Sequence, residues 1–355
     1  MIKLVGLVWF LGLPRLPTLV GLPRLTRSIK LVGLTRWAGL IRLALANGAF
    51  GWRMGLAAIV TVALAPTVIG QVAPPPEGAP MTPALRRLIE GRGDVERVAT
   101  GMQGADGIAW APREILLFTD PPRQQILHWT ARDGVKIRRE PSGGASGLAV
   151  DDSGGMLVAE RTTGHVTRID ETGAATTIAD TADGKPIGTP TDITIAHDKS
   201  VYVTSFAGEE GRVVRIDPSG RVAFAAVDLL RPSGLAFSPD DKILYVSDGA
   251  RSEVRAYPRQ PDGSLGAPRR LAVILPWKRG VQGRPNGLTV DTQGRLYLAG
   301  PGGIWVLDAN GGRLGVIATP ETPAACTFGD ADGHTLYIAA ETSLYKVRLK
   351  VTDGR

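Results

Sequence analysis

RPSGLAFSPDDKILYVSD, residues 231–248, reads as one β-hairpin. The apolar run Gly234–Phe237 meets a polar turn at Asp240-Asp241, and an alternating strand follows from Ile243 to Asp248. The same pattern recurs up and down the chain. Upstream lie GADGIAWAPREILLFTD (104–120), GASGLAVDDSGGMLVAE (144–160) and GTPTDITIAHDKSVYVTS (188–205). Downstream lie RPNGLTVDTQGRLYLAG (284–300) and TPAACTFGDADGHTLYIAA (322–340). Aligning Gly107, Gly147, Asp192, Gly234, Gly287 and Ala325 gives spacings of 40, 45, 42, 53 and 38 residues. An all-strand repeat of this length predicts a β-propeller.

A third strand in each unit ends in a motif such as VTRID (Val166–Asp170), VVRID (Val213–Asp217) or IWVLD (Ile304–Asp308), followed by a turn containing glycine. The fold expected for residues 94–355 is therefore all-β, a six-bladed propeller of four-stranded blades. The last blade is expected to take DVERVAT, Asp94–Thr100, as its outer strand, which closes the ring and removes its free edge.

The rest of the chain differs in composition. Residues 1–76 hold eight basic side chains and no acidic one. Of the 41 basic residues in 355, the remaining 33 face 34 acidic ones, so the body carries a net charge of −1 and lacks the basic footprint of a nucleic-acid binder. Residues 1–53 repeat themselves (IKLVGLVWF at Ile2, IKLVGLTRW at Ile29) and are broken by Pro14, Pro17 and Pro23, so they read as a leader, either removed or lying upstream of a true start at Met54. Residues 54–73 have the form of a signal peptide, an apolar run too short for a comfortable membrane span and ending in small residues. The expected location is outside the cytoplasm, in a bacterial periplasm or secreted. Residues 74–93 read as a stiff linker followed by a short helix, with Thr82 as cap and Pro83 in its first turn. A single cysteine, Cys326, rules out an intramolecular disulfide or a cysteine zinc cluster, and free cysteine is most often a small buried side chain.

The phrases RPSGLAFSPDDKILYVSD, RPNGLTVDTQGRLYLAG with GGIWVLD, and PAACTFGDADGHTLYIAAETSLYKV resemble the gluconolactonase, regucalcin and luciferin-regenerating-enzyme-like family of six-bladed propellers. The resemblance covers residues 94 to 349 and leaves out the leader. It implies hydrolysis of a lactone at the mouth of the central channel, with one divalent cation bound there. The family's metal ligands are a Glu in the first blade, Asn residues in the third and fourth, and an Asp in the fifth.

In a propeller the innermost strands line the channel, and the residues just before the aligned positions are Asp106, Ser146, Thr191, Ser233, Asn286 and Ala324. Matched to the family, Asp106 stands for the Glu, Thr191 and Ser233 for the Asn residues, and Asn286 for the Asp. Asp106, Ser233 and Asn286 are the candidate metal ligands. With one formal charge in place of two, they imply a weak site, with calcium as the cation. Asp106 and Glu160, which resembles a family acid on the second blade, are the candidate catalytic acids; Asn286 cannot accept a proton at neutral pH. Ser146, Thr191, Asp192, Lys278, Arg279 and Arg284 are the candidate substrate-binding residues. The last three belong to a long basic loop before Asn286, which is either a lid attracting a carboxylate-bearing ligand or an ordinary solvated loop. Several of these residues have a plainer reading. Asp106, Ser146, Ser233 and Asn286 are all common turn residues, and Glu160 with Arg161 can form a surface ion pair of little energetic weight.

Other chemistries find no support. The four histidines, His128, His165, His197 and His334, show no metal-ligand spacing. Ser146 lacks the second glycine of a nucleophile elbow, and no phosphate-binding glycine loop is present. Two readings of function follow. One is an exported propeller that hydrolyses or binds a small lactone or sugar-acid-like molecule. The other is a non-catalytic propeller whose mouth binds a ligand or a protein partner. Neither involves a membrane span in the mature form.

Overall fold

The computed structural model describes residues 81–354, so the expectations for residues 1–80 fall outside the described residues. A six-residue helix, α1 (Pro83–Leu88), comes first, with Pro83 in its first turn and the Thr82 hydroxyl accepting from the Leu85 amide at 3.2 Å. Strand β1 (Glu96–Thr100) follows, and then the blades. The first comprises β2 (Ile108–Ala111), β3 (Ile115–Asp120), β4 (Gln125–Thr130) and β5 (Gly134–Arg139). The second comprises β6 (Ala145–Val150), β7 (Met156–Glu160), β8 (His165–Ile169) and β9 (Ala175–Ala179). A small hairpin, β10 (Thr181–Ala182) with β11 (Lys185–Pro186), leads into the third blade. That blade comprises β12 (Thr189–Ile195), β13 (Val201–Ala207), β14 (Glu210–Ile216) and β15 (Val222–Leu229). The fourth is β16 (Pro232–Phe237), β17 (Ile243–Asp248), β18 (Glu253–Pro258) and β19 (Arg269–Val273). The fifth is β20 (Leu288–Val290), β21 (Leu296–Gly300), β22 (Gly303–Leu307) and β23 (Arg313–Ala318).

The sixth blade contains β24 (Pro323–Gly329), β25 (Thr335–Ala340) and β26 (Ser343–Arg348), and its fourth strand is β1, antiparallel to β26 with Arg97 opposite Tyr345. The ring thus closes with β1 laid against β26.

Hydrophobic packing lies between the blades. Each of the six neighbouring pairs shares one apolar cluster: Val158 and Ile126 join blades one and two, Val203 and Val166 blades two and three, Tyr202 and Phe237 blades three and four. The cluster between blades five and six also takes Leu85 and Ile89, which seats α1 against the ring. The Asp that ends each third-strand motif opens a tight turn: Asp170 Oδ1 accepts from the amides of Thr172 and Ala174, and Asp217 Oδ1 from those of Ser219 and Arg221.

Inner strands meet at the aligned small residues. A Cβ on Gly107 would lie 2.1 Å from the Ser146 carbonyl oxygen, one on Gly234 2.4 Å from that of Asn286, and one on Gly287 2.6 Å from the Ala325 Cβ. The repeat is therefore glycine-rich at this point because two backbones pass too close for a side chain.

Candidate functional site at the channel mouth

In four of the six blades the residue before the aligned position lies in a break in pairing register. Register shifts fall between Ala145 and Leu148, Pro190 and Asp192, Pro232 and Leu235, and Pro323 and Ala325. They enclose Ser146, Thr191, Ser233 and Ala324. A bulge re-aims a side chain, and three of the four residues, Ser146, Thr191 and Ser233, line the same cavity at one end of the channel. Hydroxyls on the second strand of one blade then fix the next blade's mouth residue by its carbonyl. Thr119 donates to Ser146 O at 2.7 Å, Ser247 to Asn286 O at 2.8 Å, and Thr204 to Ser233 O.

Asp106, Ser146, Thr191, Ser233 and Asn286 meet at a cavity of about 390 Å³, walled also by Phe206, Pro232, Pro285 and Pro323. Ala324 is not among its lining residues; its neighbours Thr322 and Pro323 are. Three arginines complete the lining. Arg284 belongs to the basic loop, Arg231 holds the equivalent place one blade earlier, and Arg161 follows β7. Arg231 was not singled out from sequence, and Arg161 was named only as a possible ion-pair partner of Glu160, a pair that does not form. The repeated Arg-Pro-x-Gly of residues 231–234 and 284–287 was a signal for the first. Each proline holds its preceding arginine in extended backbone.

Asp106 is the one carboxylate in the lining. Its Oδ2 accepts the Ser146 hydroxyl at 2.6 Å. Burial raises its pKa above the ordinary carboxylate value, while the Ser146 hydrogen bond and the charge of Arg161 pull it back. Thr191 is committed elsewhere: its Oγ1 lies 2.9 Å from Thr204 Oγ1 and donates toward the Pro232 carbonyl at 3.1 Å. Ser233 Oγ and the side-chain carboxamide of Asn286 make no hydrogen bond to the described residues, while the Asn286 backbone amide donates to the Ala299 carbonyl at 2.9 Å.

The other candidates sit apart. Glu160 is buried and accepts the Thr163 hydroxyl at 2.7 Å, with Gly143 packed against its carboxylate. It ends the second strand of its blade, as Asp120 and Asp248 do in theirs. Those two accept backbone amides of the loop entering the blade, Gln103 and Gly104 for Asp120, Leu230 and Arg231 for Asp248. Asp192 lies beyond the bulge and lines a cavity of about 670 Å³ further along the inner strands, together with Cys326. Its carboxyl pKa is pushed up to about 7, chiefly by burial and further by the charge of Asp106, against a hydrogen bond from the Ile193 amide. Cys326 is buried, with its thiol donating to the Tyr297 carbonyl at 3.3 Å, and burial raises its pKa. Lys278 and Arg279 do not line the mouth; the Lys278 ammonium lies 4.8 Å from the ring centre of Trp277.

A divalent cation such as calcium favours six or more oxygens with several carboxylates among them. Asp106, Ser233 and Asn286 supply one charge, already engaged by Ser146, and three guanidiniums line the same cavity. Among the described residues no three His, Cys, Asp or Glu side chains are grouped to hold a metal ion. With three guanidiniums against one carboxylate the mouth is net positive, so it does not fit a resident cation; it fits an anion or a developing oxyanion.

The comparisons agree with this architecture. The chain is 30% identical over 308 residues to the gluconolactonase of Zymomonas mobilis, a match covering 76% of this chain and 85% of that one. It superposes on a gluconolactonase from Xanthomonas campestris with a TM-score of 0.69 and 28% identity, covering 76% of this chain and 93% of the other. Regucalcin from Agrobacterium tumefaciens, a calcium-binding protein, shares the fold at a TM-score of 0.63 and 17% identity, over 75% and 95% of the two chains. Residues 104–342 match the family described as the SMP-30/gluconolactonase/LRE-like region, and with blades, closure and mouth all in place, this chain belongs to that family of propellers.

Proposed function

We propose that the protein acts on a small lactone or sugar-acid-like molecule at the Asp106 mouth, as a hydrolase that relies on its own side chains. The observation that carries this reading is the half-buried Asp106 carboxylate, the one carboxylate in a cavity lined by three arginines. A carboxylate with a raised pKa is a better base than a solvated one. Water attacks the lactone carbonyl carbon and gives its proton to Asp106. A guanidinium holds the negative charge that forms on the carbonyl oxygen. The ring C–O bond then breaks, Asp106 returns the proton to the leaving oxygen, and the hydroxy acid departs. Ser146 orients the carboxylate and is a positioning residue.

Replacing Asp106 by Asn should lower kcat about 100-fold or more in a pH-drift lactonase assay, with the fold retained. EDTA treatment should leave the parent's rate and melting temperature unchanged. Turnover that survives Asp106→Asn would overturn the assignment. A rate abolished by EDTA and restored by calcium would return the mouth to a metal mechanism. The engagement of Asp106 by Ser146 favours a second reading, a propeller that binds the same molecules without turnover; it predicts binding without acid release.

Export belongs to the same proposal and rests on the acid-free leader and the apolar run after Met54. N-terminal sequencing of the mature protein is expected to begin between Gln71 and Glu77, and an intact Met1 would sink it.

A further inference from the structure

Hydrolysis of a neutral lactone needs one cationic donor at the carbonyl oxygen, yet Arg161, Arg231 and Arg284 all line the mouth. They come from three different blades, so neither one loop's composition nor helix periodicity accounts for their meeting. Nor does general basicity, since the body of the protein is close to neutral.

Among the described residues they have no internal counter-charge, which is also true of exposed arginines such as Arg221 and Arg270, but these three converge on one cavity. Elsewhere in the ring, Arg168 pairs with Asp151, Arg255 with Asp228 and Glu253, and Arg295 with Asp291. Arg161, Arg231 and Arg284 have no ion-pair partner among the described residues. Arg231 is instead laid on the Phe206 ring, 4.1 Å from its centre, a contact that fixes the guanidinium plane without neutralising it. One stacked guanidinium, Arg231, and two exposed, unneutralised ones, Arg161 and Arg284, beside the side-chain donors of Ser233 and Asn286 form a recognition surface for an anion.

We propose that the molecule bound here carries a permanent anionic group, a carboxylate, sulfonate or phosphate, besides the group that reacts at Asp106. Arg231 and Arg284, placed alike by their Arg-Pro-x-Gly segments, hold that anion. Arg161, whose charge acts on Asp106, serves the reacting end. The site assignment rests on the proposed function, whereas the anion requirement stands on the arginines alone.

The test compares a neutral six-carbon aldonolactone with lactones bearing a carboxylate, a sulfonate or a phosphate, using the mature protein. Binding of the corresponding open-chain acids is measured in parallel by calorimetry. At least one charged lactone should have a kcat/KM about tenfold or more above the neutral one, and the advantage should shrink as salt rises from about 50 to about 500 mM. Arg231→Gln and Arg284→Gln should each raise KM for that lactone about tenfold, with a smaller change in kcat. Arg221→Gln, on an exposed turn of the third blade, is the charge-matched control and should change neither. Equal turnover of neutral and charged lactones would overturn the anion requirement and leave the hydrolase reading standing. Absence of all turnover, with anionic acids bound and lost in the arginine variants, would overturn the hydrolase reading and support the anion site. Failure of every anion to bind would overturn the anion site whatever the neutral lactone does.

Discussion

Asp192 shows how far one residue of displacement matters. It follows Thr191 directly, but the bulge between Pro190 and Asp192 separates them, and Asp192 faces the further cavity, where its carboxyl titrates near 7. Its folded pKa lies above the ordinary 3.8, so the folded state holds a proton that the unfolded chain has lost. The stability this proton confers is complete below about pH 4 and is lost as pH rises through about 7, a span worth on the order of 4 kcal/mol. Asp192→Asn is neutral at every pH. Its melting temperature should therefore stay flatter than the parent's between these limits; two parallel profiles would show that Asp192 ionises normally. The sequence placed Asp192 next to the mouth because adjacency in the chain was all it could measure. Asp106, Ser146, Ser233 and Asn286 were legible for the opposite reason, each occupying the same step of a visible repeat. Arg161 was not legible as a mouth residue, because its meeting with Arg231 and Arg284 depends on how blades are set around the ring.

Among the elements, the hairpins were readable from apolar runs, polar turns and alternation, and so was the pairing of Asp94–Thr100 with the final blade. The bulges were not. They consist of one residue left out of a ladder, and no side-chain type announces them. The aligned glycines announced a repeat without giving its cause, which is the approach of neighbouring inner strands. Gly107→Val tests that cause: its first carbon would meet the Ser146 carbonyl at 2.1 Å, backbone that cannot rotate away. The substitution should cost about 3 kcal/mol or more by chemical denaturation. A variant as stable as the parent would mean that the inner strands can part. Glu160 illustrates the limit of reading an acid by type alone, since in two of the other blades the residue at its position caps backbone amides rather than facing a ligand.

At the scale of the whole molecule, stability depends on closure. Val98 and Ala99 on β1 pack onto the apolar cluster shared by blades six and one, so β1 serves both a sheet and an interface. Deleting Asp94–Thr100 should lower the single melting transition by about 10 °C or more. A truncated ring that melts like the intact one would place the closure elsewhere. The same pairing also sets an order of events during synthesis. Glu96 pairs with Lys346, 250 residues later in the chain. At about 5–20 residues per second, β1 waits roughly 10–50 s for β26 to be made. Blades one to five can form before β26 exists, but the seam between β1 and β26 cannot. A chain that stops short of Ser343 is left with β1 as an unclaimed edge, open to any extended segment that finds it before release is complete.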